Sequence, residues 1–421
     1  MSESEVARKI LVVNSGSSSL KYSVFDRSGD ARVAHGEVER IGAPGTRLVQ
    51  RGPRGEVTRA LPQGGYADAF AAMLRELCAP GSGVLRDIGE IALVGHRVVH
   101  GGERFPQPAV IDDDVLRAID ALAPLAPLHN PVDAAGIREA RRLFPAATHV
   151  AVFDTSFHHT LPPHAYLYGL PYDYYERKGI RRYGFHGTSH AYVSIAATQH
   201  LGRALADAKI ISCHLGNGAS LCAIDRGRSV DTSMGFTPGE GLIMGTRCGD
   251  LDSGVLLHLQ REDSLDAAQA EELLNDRSGL LGLSGVSGDM REIESAADSG
   301  NARAQLALQA FGYRVRKYIG AYVAALGGLD VLIFTGGIGQ GSARVRTLAT
   351  QGLGCMGIDL DAERNRSARG FDAICRVSTD ASPVAVLVVP TDEESMIARE
   401  SLRAGLMILA ARRRLATRES S

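Results

Sequence analysis

Apolar and polar positions divide the chain into short strands and helical segments, and one polar turn stands out near the start. The run Ile10 to Val13 predicts a buried strand. The alternating positions Leu20, Tyr22 and Val24 predict a second strand. Between them the turn 14–19 carries an amide, a glycine and four serines. Such a turn suits an anion and its metal ion, and a serine-rich hairpin without function explains it equally well.

The same reading predicts strands and helices in alternation along the rest of the chain. Residues 27–62 have the pattern of a β-meander. Strands are predicted at 88–99, 148–153, 330–335 and 384–389, with a strand–turn–strand unit at 209–225. Helices are predicted at 66–77, 111–122, 132–143, from after 189 to beyond 199, and at 265–275, 302–326, 342–350 and 391–409.

The segment 209–225 repeats the pattern of 10–26, with an apolar strand, a small polar turn and a second strand that ends in Asp. A repeat spaced by about 200 residues is too long for a solenoid and predicts two similar α/β domains. Glycine-containing loops follow predicted strands at 14–19, 214–218 and 336–341. Together they predict a phosphate-bearing ligand held in a cleft between the two domains.

Composition describes an ordinary globular chain of 421 residues, 44% hydrophobic and 22% charged. Its net charge of −2 argues against nucleic acid or an anionic membrane as a partner. Six scattered cysteines without a C-x-x-C pair predict free thiols in a reducing compartment. The polar first nine residues predict no signal peptide, and the apolar region 319–334 is too short to span a membrane. We therefore expect a cytoplasmic protein.

Several common nucleotide and hydrolase motifs are missing from the sequence. No lysine follows a glycine, which excludes a Walker A loop. The one G-x-G-x-x-G, at 352–357, follows a helical pattern where a dinucleotide site needs a strand. Neither G-x-S-x-G nor H-E-x-x-H occurs. The glycine loops therefore indicate another class of phosphate site.

Seven motifs, in order, closely resemble the acetate kinase (acetokinase) family: N-S-G-S-S-S-L-K-Y (14–22), H-R-V-V-H-G-G-E (96–103), F-D-T-S-F-H (153–158), Y-G-F-H-G-T-S-H (183–190), H-L-G-N-G-A-S (214–220), the segment 235–247 and the F-T-G-G-I-G loop. The resemblance implies two duplicated ribonuclease-H-like βββαβαβα domains, as in actin, sugar kinases and heat-shock ATPases. Residues 1–156 with 391–421 would form the metal and substrate domain, and 157–390 the nucleotide domain.

The resemblance implies reversible, direct in-line transfer of a phosphoryl group from ATP to acetate, giving acetyl phosphate and ADP. Mg²⁺, or alternatively Mn²⁺, would assist, and the chain would form a homodimer. A propionate or butyrate kinase of the same family is the alternative, because one methylene changes binding in a small apolar pocket by only about 1–3 kcal/mol. A non-catalytic actin-like nucleotide-binding protein is a further alternative.

The resemblance assigns catalysis to Arg97, Asp154, His186 and Arg247. A guanidinium can hold a carboxylate or phosphoryl oxygens bidentately, and an imidazole can donate to a developing negative oxygen. By resemblance Arg97 binds substrate, Arg247 and His186 stabilise the transition state, and Asp154 is a proton donor or acceptor. Because acetate needs no deprotonation at neutral pH, the position of Asp154 at the end of a buried strand favours polarising acetate or orienting the metal through water. From the residues alone, paired structural arginines, a structural histidine and a turn-capping aspartate remain open. The intact set argues against the non-catalytic alternative.

The resemblance also implies metal, nucleotide and substrate contacts. Mg²⁺ would be held by Asn14 and Glu393, although an acid at 393 is more commonly a helix N-terminal charge. The nucleotide residues would be Lys21, His214, Leu215, Gly216, Asn217, Gly218, Asp289, Met290, Arg291, Gly337, Ile338, Gly339, Gln340 and Gly341. The substrate residues would be Arg97, Val99, Leu128, His129, Phe185 and Pro238. The four apolar members are equally explained as core, and His129 as a hydrogen bond at a helix start.

The sequence departs from the family pattern at a few positions. The common G-I-G-E-N is G-I-G-Q-G at 337–341, which removes an acid and an amide near the predicted adenosine. Gly239 replaces a usual Leu, Asp133 a usual Asn and Cys248 a usual Ser. Cys248 follows Arg247, so an activated thiol is a further expectation.

Overall fold

The computed structural model describes residues 9–368 and 370–419, with the backbone alone for 408–419. Its contacts divide the chain into two compact units. Unit 1 comprises residues up to 156 together with those from 392 onward, and unit 2 comprises 157–391. Thr391 thus falls in unit 2, whereas the resemblance placed it with the first domain.

Strands occur in both units. They are β1 (Lys9–Ser15), β2 (Ser19–Phe25), β3 (Arg32–Glu39), β4 (Arg47–Gly52), β5 (Gly55–Ala60), β6 (Ile91–Val98), β7 (Ala109–Val110), β8 (Thr148–Phe153), β9 (Lys209–Leu215), β10 (Ala219–Asp225), β11 (Arg228–Thr232), β12 (Val331–Thr335), β13 (Cys375–Arg376) and β14 (Ala385–Val388).

Helices connect and cover these strands. They are α1 (Tyr66–Leu77), α2 (Asp113–Ala121), α3 (Asn130–Leu143), α4 (Pro163–Tyr166), α5 (Asp173–Lys178), α6 (Gly187–His200), α7 (Ser253–Glu262), α8 (Ala267–Asp276), α9 (Gly279–Ser284), α10 (Met290–Asp298), α11 (Ala302–Leu326), α12 (Gly336–Gly341), α13 (Ala343–Thr350), α14 (Ala362–Ser367) and α15 (Glu393–Glu419).

The two sheets share one topology. In unit 1 the order is β5-β4-β3-β2-β1-β6-β8-β7, and in unit 2 it is β11-β10-β9-β12-β14-β13. In each unit the first strand pairs antiparallel with the second and parallel with the strand that follows the first crossover. The order 3-2-1-4-5 of β3-β2-β1-β6-β8 therefore recurs as β11-β10-β9-β12-β14. This recurrence accounts for the internal sequence repeat.

The central strand of unit 1, β1, is buried on both faces because successive side chains point to opposite sides of a sheet. Leu11 lies in an apolar cluster with Phe70 of α1. The next residue, Val12, lies in a different cluster with Ile397 of α15. Burying such a side chain contributes about 1.5–3 kcal/mol, so α15 stabilises the sheet although it comes last in the sequence.

Some predicted elements differ from those observed. Helix α6 begins at Gly187, three residues before the predicted start at residue 190. Residues 336–341 form the short helix α12 where a loop was expected. Helices α7, α9 and α10 were not predicted. Strand β6 begins at Ile91, because Asp87 caps a short helical turn before it.

Candidate active site

Arg97 and Asp154 form an ion pair at the carboxyl ends of two adjacent parallel strands, β6 and β8, of unit 1. Arg97 Nη2 donates to Asp154 Oδ2 at 2.6 Å, and its Nε donates to the same carboxylate at 3.2 Å. The Asp154 side chain is 2% exposed and that of Arg97 is 24% exposed. Burial disfavours the charged guanidinium, but the nearby carboxylates outweigh this effect and raise the pKa of Arg97. The guanidinium is therefore charged, with part of it open to a ligand.

Asn14 and Lys21 lie opposite each other where β1 and β2 meet at the serine turn. Arg97 Nη1 donates to Asn14 Oδ1 at 3.3 Å, which places the amide oxygen at the same guanidinium as Asp154. The Lys21 ammonium is half exposed and lies 3.9 Å from Glu37. The turn therefore brings an oxygen donor and a cation to the sheet edge that holds the ion pair.

Glu393 begins α15 and interacts electrostatically with Arg97, Asp154 and Lys21. Burial raises the pKa of Glu393. The adjacent acids are engaged elsewhere: Asp392 accepts from Ser395 N, and Glu394 lies 3.3 Å from Arg32. Glu393 is therefore the acid of this turn that faces the Arg97 group.

Asn14 and Glu393 carry oxygen atoms of the kind that bind metal ions, and both residues interact with the Arg97 guanidinium. Among the residues with described side chains, no group of three or more His, Cys, Asp or Glu is placed to hold a metal ion. Mg²⁺ commonly takes one or two protein oxygens and completes its shell with water and phosphate oxygens. The donor set therefore fits a hard divalent cation that binds together with a phosphate ligand.

Asp133 of α3 is buried, and its Oδ2 accepts from Val99 N at 2.9 Å. Burial raises the pKa of Asp133 to about 7, against a smaller opposing effect of this hydrogen bond and of Arg97. This contact connects α3 to the residue that follows β6, two positions after Arg97. Sequence reasoning noted Asp133 as a departure from the family pattern but found no partner for it.

The raised pKa of Asp133 makes stability depend on pH. The folded protein keeps this carboxyl protonated up to about pH 7, whereas the unfolded chain releases the proton near 3.8. Stability is therefore greatest below the unfolded pKa and falls as pH rises from about 4 to 7. At pH 8 we expect Asp133→Asn to raise the melting temperature, by roughly 2–4 °C for each kcal/mol of unfolding free energy regained. At pH 5 we expect a smaller change. Thermal unfolding of the wild type and the variant at pH 5 and pH 8 tests this prediction. An equal change in melting temperature at the two pH values would contradict the raised pKa of Asp133.

His186 of unit 2 adopts the left-handed backbone conformation, with φ 56°, at the residue before α6. This conformation costs energy for a residue with a side chain and often marks a functional site. Its Nδ1 lies 2.9 Å from Ser220 Oγ, and its ring stacks on His214 at 4.3 Å between centroids. The strained backbone thus directs the imidazole over the turn between β9 and β10.

A buried network of hydroxyls and imidazoles holds this arrangement. His190 Nδ1 lies 2.9 Å from Ser212 Oγ, and His190 Nε2 lies 2.9 Å from Ser220 Oγ. Ser189 Oγ lies 2.7 Å from His214 Nδ1. Burial holds the pKa of His190 well below its usual range, so this ring is neutral. Sequence reasoning missed His190 and the two serines that it joins, although the motif Y-G-F-H-G-T-S-H contains the histidine.

Arg247 is half-buried and forms no ion pair with any side chain that the structure describes. Its Nη1 contacts Pro238 O at 3.4 Å. A Cβ at Gly218 would lie 3.6 Å from Arg247 Nη1 and 3.5 Å from His186 Cε1, so both side chains converge on this glycine. Burial lowers the pKa of Arg247, but a guanidinium stays protonated in proteins. A cation that feels Asp276 at longer range, but forms no ion pair with a described side chain, therefore lies beside the β9–β10 turn.

Gly245 allows the loop that carries Arg247 to approach this turn closely. A Cβ there would come within 2.0 Å of Asn217 Oδ1, and Gly245 N donates to Asn217 O at 2.9 Å. Glycine is needed at position 245 because the side chain of any other residue there would displace Asn217. Asn217 itself is exposed and available to a ligand.

A cavity of about 830 Å³ lies within unit 2 next to the same turn. Its lining includes predicted nucleotide residues: Gly216, Asn217, Asp289, Met290, Arg291, Gly337, Ile338 and Gly341. Asp289 also caps α10 and pairs with Arg291 at 2.6 Å. Glu294, Ser342 and Phe371 also line the cavity and were not anticipated from the sequence.

Other predicted nucleotide residues do not line this cavity. Gln340 is buried, and its Nε2 donates to Val389 O and to Thr335 Oγ1 at 3.4 Å each. Gly339 and Leu215 are also buried beneath the turn. Because α12 is helical, some of its residues face the cavity and others, including Gly339 and Gln340, face the core. Their position does not support the expectation that Gln340 contacts the nucleoside.

The predicted acetate-pocket residues are divided between the units and differ in burial. Val99 and Phe185 are buried, at 6% and 2% exposure, and Pro238 is intermediate. Leu128 is 67% exposed, so the core explanation is wrong for this residue. His129 precedes α3, and its side chain makes no capping hydrogen bond there within the described chain.

Cys248 is not activated by its neighbour Arg247. Burial raises the pKa of the Cys248 thiol, and its Sγ–H donates to Gly249 O at 3.2 Å. The raised pKa does not support thiol reactivity, because desolvation is the main effect and outweighs the opposing charge of Arg314.

Known proteins of one family match this chain over most of its length. Residues 9–399 match the family model of the Acetokinase family. An acetate kinase of Clostridium botulinum (strain Kyoto / Type A2) is 51% identical over 93% of this chain and 98% of that protein. An acetate kinase of Dictyoglomus turgidum is 50% identical over 94% of this chain and 97% of that protein.

Solved structures are similar over nearly the whole chain. Porphyromonas gingivalis acetate kinase has a TM-score of 0.89 at 45% identity, covering 94% of this chain and all of that chain (100%). A propionate kinase from Francisella tularensis subsp. tularensis SCHU S4 has a TM-score of 0.87 at 37% identity, covering 94% of this chain and 99% of that chain.

The duplicated α/β units with an actin-like ATPase topology, and the family match, define a phosphotransferase of the kinase class. The chain belongs to the acetokinase family. The predicted fold class and the family resemblance are thereby confirmed.

Proposed function

We propose that this protein transfers the γ-phosphoryl group of ATP reversibly to acetate, giving acetyl phosphate and ADP. The observation that carries the proposal is Arg247, a half-buried guanidinium without an ion pair among the described side chains, which converges with His186 on Gly218. Phosphoryl transfer needs charge neutralisation and positioning more than covalent chemistry, and this arrangement supplies both.

The chemistry is a direct in-line displacement. An acetate oxygen forms a bond to the γ-phosphorus while the bond from that phosphorus to the β,γ-bridging oxygen breaks, and ADP leaves. Acetate is already ionised at neutral pH, so no general base is required. Arg247 and His186 stabilise the charge on the equatorial oxygens, and the open face of Arg97 orients the acetate carboxylate.

Asp154 acts as a positioning residue in this proposal. Its two oxygens accept three hydrogen bonds from Arg97, of 2.6, 3.2 and 3.3 Å. This grip fixes the plane of the guanidinium that faces the acceptor. The N–H donors of a guanidinium form a rigid fork. The guanidinium must therefore be correctly oriented to bind a carboxylate with two donors.

Mg²⁺ is the metal that we propose, with Asn14 and Glu393 as its protein ligands and Mn²⁺ as an alternative. When bound, such an ion neutralises phosphate oxygens and orients them. Lys21, on the neighbouring strand, adds a further positive charge for phosphate. The cavity that contains Met290 and Ile338 takes the nucleoside.

Acetate is preferred as the acceptor over propionate or butyrate. The curated relatives at 50–51% identity are named acetate kinases, whereas the propionate kinase structure is 37% identical. A non-catalytic nucleotide-binding role is disfavoured because Arg97, Asp154, His186 and Arg247 are all present.

Acyl-hydroxamate formation tests the proposal directly. Purified protein with ATP, Mg²⁺ and hydroxylamine is expected to yield acetyl hydroxamate, with a higher kcat/KM for acetate than for propionate or butyrate. Omission of Mg²⁺ should abolish the product. Failure with every acid would exclude the kinase function, and a higher kcat/KM for propionate would exclude acetate as the main acceptor.

We also propose that the chain forms a homodimer in the cytoplasm, as the family resemblance implies. Several large apolar side chains of unit 2 are exposed, among them Leu257 and Leu306 at 50% and 57%. Covering them would favour association. No described helix combines the length and apolar character needed to cross a bilayer.

A further inference from the structure

We propose that Phe371 is the stacking platform for the purine base of the nucleotide, in a position made available by Gly341. This inference rests on the proposed function for the identity of the nucleotide. The aromatic ring belongs to the segment between α14 and β13, outside every motif of the family resemblance.

The lining of the cavity in unit 2 combines two kinds of groups. Gly216 and Asn217 belong to the turn beside His186 and Arg247, where backbone N–H groups and cationic side chains suit phosphates. Met290, Ile338 and Phe371 supply apolar surface that suits a flat group. A nucleotide with its phosphates at the turn would therefore place its base among these apolar side chains.

Gly341 and Phe371 are adjacent across the cavity wall. A Cβ at position 341 would lie 3.6 Å from Phe371 Cζ, which is ordinary van der Waals contact. Any longer side chain at 341 would extend into the space beside the ring. The glycine therefore leaves the ring accessible from the cavity.

Gln340 cannot supply a base contact in place of the ring. It is 7% exposed, and its amide nitrogen faces Val389 O and Thr335 Oγ1. Phe371, in contrast, is 55% exposed although it lines the cavity. An aromatic ring exposed inside a cavity of nucleotide size gains most by stacking on a base.

The test compares Phe371→Ala with the wild type by calorimetric titration of ADP and by steady-state kinetics. Base–aromatic stacking is worth about 1–3 kcal/mol on alanine substitution, so the Kd for ADP and the KM for ATP are expected to rise about tenfold. The kcat should stay within about twofold, and the KM for acetate should not change. The KM for GTP should rise by a similar factor, since stacking uses the face of either purine.

Two further variants sharpen the result. Phe371→Trp should retain ADP affinity within about threefold, because it restores an aromatic face. Tyr313→Ala removes a comparably exposed aromatic side chain, 54% exposed, outside the cavity lining, and should leave all constants unchanged. An unchanged Kd for ADP in Phe371→Ala, or a loss that Phe371→Trp does not restore, would overturn the proposal.

The experiment separates this inference from the proposed function. Titration with ADP reports on Phe371 without any acceptor acid. Absence of hydroxamate from the wild type with every acid would refute the proposed reaction while the ADP measurement still decides the stacking contact.

Discussion

Replacement of Arg247 by alanine is expected to lower kcat by about 10³-fold, while the KM for ATP changes by less than about fivefold. An arginine that stabilises the charge of a transferring phosphoryl group is worth roughly 10³–10⁵ in kcat. Arg247 has the necessary position, since it converges with His186 on Gly218. It forms no ion pair with a described side chain, and Asp276 acts on it only at longer range. Steady-state hydroxamate kinetics with varied ATP measure both constants.

Two controls accompany this prediction. Arg247→Lys keeps the charge but loses the planar fork, so it should recover only part of the activity. Arg344→Ala removes an arginine of the same unit that is 43% exposed and paired with Asp298, and should leave kcat unchanged. A raised KM for ATP with normal turnover would mean that Arg247 binds the ground state and the transition state equally.

Replacement of Arg97 by alanine is expected to reduce activity by at least about 10²-fold and to destabilise unit 1 by about 3 kcal/mol or more. The activity falls because Arg97 orients the acceptor. The stability falls because the Asp154 carboxylate, 2% exposed, loses its charged partner. Denaturant unfolding and hydroxamate kinetics on the same preparation provide the two measurements.

A double-mutant cycle separates these effects. Removing both charges with Arg97→Ala and Asp154→Ala should destabilise less than the sum of the single changes, because no unpaired buried charge remains. As a control, Arg142→Ala breaks the surface ion pair between Arg142 and Glu139. The Arg142 side chain is 65% exposed, so this change should leave the stability nearly unchanged. Additivity in the Arg97–Asp154 cycle would show that the two groups are not coupled.

The strands around the site could be predicted because their apolar residues are nearly continuous. The run 148–153 predicted β8 at its observed bounds, and helical spacing predicted α1 at 66–77. Helix α7 was missed because Val255 to Leu257 are consecutive apolar residues, and none of the helix is buried. Helix α9 was missed because its six residues include two glycines. A helix that does not pack against the core need not show a helical period of apolar residues, so its sequence is hard to recognise as a helix.

The site was predictable only in part. The family motifs named Arg97 and Asp154, but residues alone could not pair two side chains separated by 57 positions. The strained backbone of His186 and the contact of Asp133 with Val99 N likewise depend on tertiary structure. The buried position of Gln340 was not foreseen, because a glycine-rich segment can form a helical turn as readily as a loop. Phe371 lies in a segment without any periodic pattern.

The return of α15 to unit 1 has a consequence for biosynthesis. Its residue Ile397 packs against the β1 sheet, and Glu393 reaches the Arg97 group. All of unit 2 is translated between Asp154 and Glu393. During translation, the face of the unit 1 sheet that α15 covers therefore stays exposed until unit 2 has been synthesised and α15 has left the ribosome. A chain interrupted before α15 would carry Arg97 and Asp154 without the Glu393 carboxylate. It would also expose an apolar surface that chaperones and proteases recognise.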